Sequence, residues 1–464
     1  MTFAPQISVD PSFTAEIAVS ALIIGGGACG LTCALRLADA GVDSLVIERD
    51  RQPLGSTSLS SGFIPAAGTR LQKKLGIADS PEALTRDIQA KAHGAAGAEL
   101  THAYTNAIGE ALDWLEQAHG FQWEVLTDFL YPGHSVHRMH TLPQRQGIAL
   151  IQALDIAVNR AGGTVLSDAL AFELVVDTDR RVMGVRVQRP DGVIESIACK
   201  ALLLACNGYG GSAKMRERFI PDMSHASFAG HLGNDGSAVE WGEALGARLA
   251  DMSAYQGHGS WAVPHGSLVT WALMVQGGIQ VNERGERFHD ESQGYSEAAV
   301  HVVAQPNQTA WCIFDEPIDA LGLTFPDYVA AKEMGAVKVC EDVSALAAVI
   351  GCGAETIGQT LSAIGSGVTD AFSRTFARGL QAPYYAIRVT GALFHTQGGL
   401  DVDASCRVLD VTGQHFPNMW AGGGAARGVS GPDVSGYLSG NGLLSAIAGG
   451  TISADSMATF LDQG

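Results

Sequence analysis

Runs of about 18 uninterrupted apolar residues, the length a membrane-spanning helix needs, are absent from this chain of 464 residues. C-x-x-C spacing is absent too: Cys29, Cys33, Cys199, Cys206, Cys312, Cys340, Cys352 and Cys406 are scattered. That excludes a dithiol redox motif and a C-x-x-C-H haem attachment. It fits reduced core cysteines in a cytoplasmic protein. No His/Cys cluster has metal-ligand spacing, so no metal is expected. Basic residues are scarce: 29 Lys and Arg against 48 Asp and Glu leave a net charge of −19. Nucleic acid and anionic membrane are therefore unsuited as partners. The first 18 residues lack a basic region and an apolar core, so no signal peptide is expected. What is plentiful is glycine, 57 residues, which suits tight turns and close backbone approach to a ligand. The length allows two or three domains.

The most informative segment is Val19 to Glu48. An apolar run of strand length, Val19-Ser20-Ala21-Leu22-Ile23-Ile24, ends in Gly25-Gly26-Gly27-Ala28-Cys29-Gly30, a G-x-G-x-x-G turn. Leu31, Ala34, Leu35 and Ala38 then fall on one helical face, and a second strand, Ser44 to Ile47, ends at Glu48. Gly25 permits the turn, Gly27 lets the backbone approach a pyrophosphate, and Gly30 lets helix and strand pack. The helix N-terminus offers free N–H groups to phosphate, and a carboxylate at Glu48 can accept from a ribose. Strand, turn, helix, strand and acid in this order predict a dinucleotide site.

Residues 81–160 read mostly as helix, with an amphipathic stretch near 101–117. Residues 163–206 read as strands broken by Asp177-Thr178-Asp179 and Pro190-Asp191-Gly192. The strand Ala201 to Cys206 runs into a second glycine-rich turn, Asn207-Gly208-Tyr209-Gly210-Gly211. Residues 325–365 read as short helices and loops, and the last 75 as rich in strands and glycine.

Together these segments resemble the flavoproteins of the fumarate reductase/succinate dehydrogenase superfamily, including the 3-ketosteroid dehydrogenases. Besides the fingerprint and the turn at 207–211, three blocks carry the resemblance. They are Gly55-Ser56-Thr57-Ser58-Leu59-Ser60-Ser61-Gly62, then Gly277 to Phe288, and His395-Thr396-Gln397-Gly398-Gly399-Leu400 through Trp420-Ala421-Gly422-Gly423 to Gly440-Asn441-Gly442. The resemblance implies an α/β fold: a Rossmann-like FAD-binding domain of the GR2 type, 1–251 and 391–464, with an inserted α+β capping domain, 252–390. Substrate would bind between cap and flavin. It implies FAD held against Gly25, Gly27, Ala28, Gly30, Glu48, Arg49, Ser56, Thr57, Ser61, Gly62, Val165, Asn207, Gly208, Gly423, Gly440 and Leu443. Relatives with covalent flavin have a histidine after the serine-rich block; 55–68 has none, so non-covalent FAD is expected. Gly424 stands where many relatives place a glutamate on the cofactor ribose.

Fumarate reductases surround a dicarboxylate with two arginines and two histidines. The histidine positions match His258 and His395, but the arginine positions read Tyr295 and Tyr437. A phenol does not replace a bidentate guanidinium. Tyrosines suit a ketone, as in the ketosteroid dehydrogenases, and Tyr437-x-Ser439 with a cap tyrosine is most similar to the 4-dehydrogenases of 3-keto-5α-steroids. The resemblance thus implies desaturation of a cyclic ketone, a steroid or a substituted cyclohexanone. Tyr437, supported by Ser439, would exchange a proton, FAD would exchange the hydride, and Tyr295 would orient the carbonyl, the two tyrosine roles being interchangeable. Arg427 or Arg138 would serve a substrate carboxylate. The electron acceptor would be oxygen, a quinone or a redox protein. The alternatives are an enone or fumarate-like reductase, a flavin-binding protein without turnover, and, less strongly supported, a nicotinamide-dependent dehydrogenase.

Overall fold

The computed structural model of the protein describes residues 4–463, apart from 366 and 368. It divides into two compact units. The first comprises Met1–Ile220, Gly230–Tyr255 and His395–Gly464; the second comprises Pro221–Ala229 and Gln256–Phe394. The inserted unit thus begins and ends four residues later than the sequence placement of 252–390. It also takes in a short earlier excursion, Pro221–Ala229, because Ser227–Phe228 adds a parallel pairing to Ala392 and Leu393.

The first unit is built on a mixed sheet of nine strands among the described residues. Ile17–Ile24 lies between Ile194–Leu204 and Ser44–Ile47, parallel to both, and Thr164–Leu166 extends the parallel run. Leu22, Ile23, Val46, Leu203 and Leu204 are buried. Strands covered on both faces read as unbroken apolar runs rather than alternations, which is what the sequence has here. The second edge of Ile194–Leu204 is shared. Its first half pairs antiparallel with Val182–Gln188, and its end pairs parallel with Met419, Trp420 and Ala421. The sheet therefore brings the ends of three distant segments, at Ile24, Leu204 and Ala421, side by side. The helices Ala28–Asp39, Ala98–His119 and Asn441–Asp462 pack together beside it. The Rossmann-like α/β class expected from the fingerprint is what the chain adopts.

The last segment differs from its reading as strands and glycine: 22 of its residues, Asn441–Asp462, are one helix. Glycine is a poor helix former, but here it serves packing. A Cβ on Gly450 would stand 2.4 Å from the carbonyl oxygen of Cys29, so only glycine lets this helix lie against the fingerprint helix.

The second unit centres on a seven-stranded sheet in which Tyr384–Thr396 pairs with Thr309–Asp315, and Ile279–Val281 follows on the far side. The same unit holds a buried charge cluster. Glu291 accepts from Arg287 and from Arg374 at 2.6 and 2.8 Å, and Arg287 also pairs with Asp370. Among the described residues no helix is long and apolar enough to cross a membrane.

Candidate active site

The fingerprint turn is shaped by contacts that exclude side chains. Gly25 has φ +110, and a Cβ there would lie 2.4 Å from the carbonyl oxygen of Ala205. Gly30 is tighter still, 1.9 Å from the carbonyl oxygen of Gly25. At Gly27 the nearest atom to a Cβ is the Thr57 hydroxyl at 3.9 Å, so this face of the turn is open. The helix that follows has no side-chain N-cap and no acidic residue in its first turn. Beyond Ala28, its first N–H groups and its dipole are thus left for an anion. Ala28 N–H donates to the Thr57 hydroxyl at 3.1 Å, which ties the serine-rich block to the turn.

A cleft runs past this turn. Gly25, Gly27, Ala28, Glu48, Arg49, Ser56, Thr57, Asn207 and Gly423 are among its lining residues. Gly30, Ser61, Gly62, Val165, Gly208, Gly440 and Leu443 are not among its lining residues. Gly30 instead packs helix on strand, Val165 is in the sheet, and a Cβ on Gly208 would stand 2.0 Å from the Thr396 hydroxyl. Residues that sequence reasoning missed join the lining: His231, Gly233, Asn234, Asp235 and Ser237. The signal was Gly233-Asn234-Asp235-Gly236, a third polar glycine turn.

The electrostatics of the cleft follow from its hydrogen bonds. Glu48 Oε2 accepts from Gly26 N–H at 2.8 Å and Oε1 from Asp50 N–H at 2.9 Å. Each oxygen keeps a second lone pair for a ribose hydroxyl. Burial raises the Glu48 pKa, and the two N–H bonds oppose that rise. Ser56 Oγ accepts from Asn207 Nδ2 at 2.8 Å and from Asn234 Nδ2 at 3.0 Å, so its own proton is left to donate. Gly424 is fixed by the same asparagine: a Cβ there would stand 2.2 Å from Asn207 Oδ1. The side chain of Asn207 therefore takes space that a residue at 424 would need. An open glycine face, a helix start without its own side-chain cap and a buried acid that keeps lone pairs free fit FAD.

Tyr437 and Ser439 sit just before the C-terminal helix and are buried. Gly440, the N-cap, has φ +87 and abuts Pro65, where a Cβ would be 2.5 Å away. His395 packs edge-on to Tyr437, with ring centres 6.0 Å apart. A Cβ on Gly442 would stand 2.6 Å from His395 Nε2, so the imidazole rests on the first helical turn. Burial holds the His395 pKa down at about 4. The structure thus brings Tyr437, Ser439 and His395 together in the first unit. Asn441 Oδ1 is buried there with no hydrogen-bond partner among the described residues, a free acceptor at the start of the C-terminal helix.

In the second unit His258 stacks on Tyr295, ring centres 4.7 Å apart and 15° between planes. Phe394 and Trp271 close the cluster at 5.7 and 5.9 Å from His258. Ser260 gives its hydroxyl proton to the Val269 carbonyl at 2.7 Å. Its N–H meets His258 Nδ1 at 3.2 Å. Nδ1 is therefore the acceptor and Nε2 carries the proton. Burial lowers the His258 pKa to about 3, so the ring is a neutral N–H donor at pH 7.

Arg427 and Arg138, the partners offered for a substrate carboxylate, are already engaged. Arg427 donates to Asp251 at 2.7 and 3.0 Å and to Asp401 at 3.1 Å. Arg138 is fully buried and holds Asp79 through two bonds of 3.0 Å, and also Asp87. Neither is available as a carboxylate clamp.

Against known proteins, the FAD binding domain family matches residues 20–443. The NADH:fumarate oxidoreductase of Klebsiella pneumoniae (strain 342) is 26% identical over 442 residues, 93% of this chain and 46% of that protein. This chain thus spans less than half of that relative. The fumarate reductase (cytochrome) of Shewanella frigidimarina is 26% identical over 95% of this chain and 77% of its own length. Among solved structures, the 3-ketosteroid-Δ4-(5α)-dehydrogenase of Rhodococcus jostii RHA1, in complex with 4-androstene-3,17-dione, superposes with a TM-score of 0.78. It is 24% identical and covers 98% of this chain and 99% of its own. The chain belongs to the FAD binding domain family. It is an FAD-dependent oxidoreductase with the fold of the fumarate reductase and ketosteroid dehydrogenase flavoproteins.

Proposed function

We propose that this chain acts on CH–CH bonds, as an FAD-dependent α,β-desaturase of a neutral cyclic ketone, a 3-ketosteroid or a substituted cyclohexanone. The observation that carries the substrate class is the commitment of its arginines. Arg427, Arg138, Arg287 and Arg374 are all paired with buried or half-buried carboxylates of the protein. A substrate carboxylate would have to displace one of these pairs, which exposes a buried acid without its partner. A ketone asks only for hydrogen-bond donors.

Bound FAD would supply the hydride acceptor. Tyr437 is assigned proton removal at the adjacent carbon, with the Ser439 hydroxyl as its support. A positioned proton carrier is worth about 10²–10⁴ in rate. His258 holds an Nε2 proton and stays neutral, so it serves as a hydrogen-bond donor to a carbonyl oxygen without transferring the proton. Tyr295, stacked on it, is assigned to orient the ketone. The electron acceptor is oxygen, a quinone or a redox protein.

The experiment is anaerobic mixing of the FAD-loaded protein with cyclohexanone, 4-oxocyclohexanecarboxylate and a 5α-3-ketosteroid. Loss of visible flavin absorbance with a neutral ketone is expected, and Tyr437→Phe is expected to abolish it while keeping FAD. No bleaching by any ketone would overturn the proposal.

The curated relatives favour a second reading, reduction of an activated alkene. Reoxidation of the chemically reduced protein by an enone or by fumarate, with no ketone response, would establish it in place of the first.

A further inference from the structure

We propose that the turn 231–235 is a strap across the nucleotide end of the cleft, latched by the Arg49–Asp235 ion pair, and that this latch sets how fast FAD enters and leaves. The proposal rests on the assignment of the cleft to FAD, with a ribose at Glu48.

Two stretches far apart in the chain line the cleft together: Glu48 to Asp50, at the end of the strand Ser44–Ile47, and the turn from His231 to Asp235. Side chains of the protein join them. Arg49 Nη1 donates to Asp235 Oδ2 at 3.0 Å. His231 accepts the Gly233 N–H on Nδ1 at 3.0 Å and holds Nε2 3.0 Å from Asp50 Oδ2. The turn lies low on Arg49, because a Cβ on Gly233 would stand 3.1 Å from Arg49 Cδ and 2.8 Å from His231 Nδ1. The root of the turn is fastened. The Asn234 carbonyl accepts from Gly211 N–H at 2.8 Å, Asn234 Nδ2 donates to Ser56 Oγ at 3.0 Å, and Gly236 N–H donates to the Gly208 carbonyl at 3.1 Å. The tip, Leu232, is 82% exposed. Asp235 stands between root and tip. Its Oδ1 accepts the Ser237 N–H at 3.0 Å and the Ser237 hydroxyl, which fixes the carboxylate and leaves Oδ2 for Arg49.

The strength of the latch follows from its exposure. The side chains of Arg49 and Asp235 are 35 and 43% exposed. A pair in that setting is worth little and is screened by salt. The fully buried pair Arg138–Asp79 serves to hold structure; a weak, exposed pair suits a strap that must open. Both partners of the latch belong to the protein, so breaking it is a cost that entry and exit of FAD share. Removing the latch therefore speeds both and leaves the affinity nearly where it was.

The test is a double-mutant cycle on the full chain with Arg49→Met, Asp235→Asn and the two together; asparagine keeps the cap on Ser237. Exit is read from the loss of radiolabelled FAD chased by excess unlabelled FAD, and entry from flavin fluorescence on mixing FAD with the stripped protein. Each single variant is expected to raise both rates about threefold, with Kd within about twofold. The double variant should be no faster than the singles, because both changes remove the same pair. Raising NaCl to about 1 M should speed exit from the wild type about threefold more than from the double variant. Wild-type rates in the singles, or effects that multiply in the double variant, would overturn the latch. Faster exit without faster entry would overturn it too, since the two side chains would then be holding FAD directly. Wild-type FAD affinity in Glu48→Gln would instead overturn the placement of the ribose in this cleft, whatever the cycle shows.

Discussion

His134 donates from Nε2 to the carbonyl oxygen of Ser439 across 3.0 Å, joining residues 305 apart in the chain. The imidazole is buried, and its Nδ1 has no partner among the described residues. Its loop is itself pinned: Ser135 N–H and hydroxyl both reach Asp87 at 2.8 Å, and Arg138 holds Asp79. The Tyr437-x-Ser439 turn is therefore fastened to a rigid part of the first unit. His134→Ala leaves the Ser439 carbonyl without its donor, which costs about 1–3 kcal/mol. Turnover should fall more than FAD content does, and His134→Asn, which keeps an N–H donor, should recover part of both. Urea denaturation and steady-state kinetics measure this. Unchanged stability and rate in His134→Ala would mean that the contact does not position the turn.

Two glycines three residues apart should respond in opposite ways. A Cβ on Gly30 meets backbone at 1.9 Å, whereas one on Gly27 meets nothing closer than 3.9 Å. Gly30→Ala is expected to destabilise the apoprotein by about 1–3 kcal/mol, the range for overpacking. Gly27→Ala should fold normally, since its φ of −75 suits alanine. It should bind FAD at least about tenfold more weakly, a difference of about 1.4 kcal/mol. Fluorescence titration with FAD decides the matter: wild-type affinity in Gly27→Ala would place the pyrophosphate elsewhere.

Much of this region was legible because it is local. Strand, turn, helix and acid between Val19 and Glu48 are set by neighbours in sequence, and glycine there has one steric reason at each position. The C-terminal helix was not legible. Its glycines suggest a loop until Gly450 is seen against Cys29, a contact made across most of the chain. The same holds for the arginines. Asp251 lies 176 residues from Arg427, and Asp79 lies 59 from Arg138. A sequence shows a cation but not whether its charge is already answered. The tautomers of His258 and His395 depend on a serine N–H and a carbonyl whose directions only the fold sets.

Arg427 makes a sharp case. Were it a substrate clamp, Arg427→Met would change selectivity between a neutral ketone and its keto acid. With Asp251 and Asp401 as its partners, the expected result is a loss of stability on the order of 2 kcal/mol, from Asp251 left without its cation while Asp401 keeps Arg248. The ratio of kcat/KM for cyclohexanone and 4-oxocyclohexanecarboxylate should stay within about twofold of wild type. A large shift in that ratio would return Arg427 to the substrate.

Covalent attachment is tested by acid precipitation. The block 55–68 has no histidine, so the yellow colour should leave with the supernatant. Colour kept in the pellet would show a bond to another residue.

Acid stability depends on histidines the fold keeps neutral. His140 gives Nδ1–H to the Arg138 carbonyl at 2.9 Å and takes the Thr69 hydroxyl proton on Nε2 at 2.8 Å. Thr69 in turn caps a helix by accepting from Gln72 N–H at 3.1 Å. Protonating His140 would break the Thr69 link and put a charge in a site without water. Burial accordingly lowers the pKa of His140 to about 4, and that of His134 and His289 to about 4 as well. An unfolded histidine titrates near 6.5. Below that value the unfolded chain binds protons that the native one refuses, so stability is full above about 6.5 and falls as the pH drops towards 4. Each such histidine contributes a slope approaching about 1.4 kcal/mol per pH unit within that window. The raised pKa values of Glu48 and Asp251 act the other way, since the native chain holds those protons longer. With His258 and His395, whose pKa values burial also lowers, these buried histidines outweigh them between pH 6.5 and 5, where carboxylates in the unfolded chain are still largely ionised. The melting temperature of the apoprotein should therefore fall steadily from pH 7 to pH 5. In His140→Asn the fall should be shallower, because one of the proton-refusing sites is gone. A flat profile in the wild type, or the same slope in the variant, would mean that these rings are protonated in the native protein and that the hydrogen-bond directions at Thr69 and Arg138 are wrong.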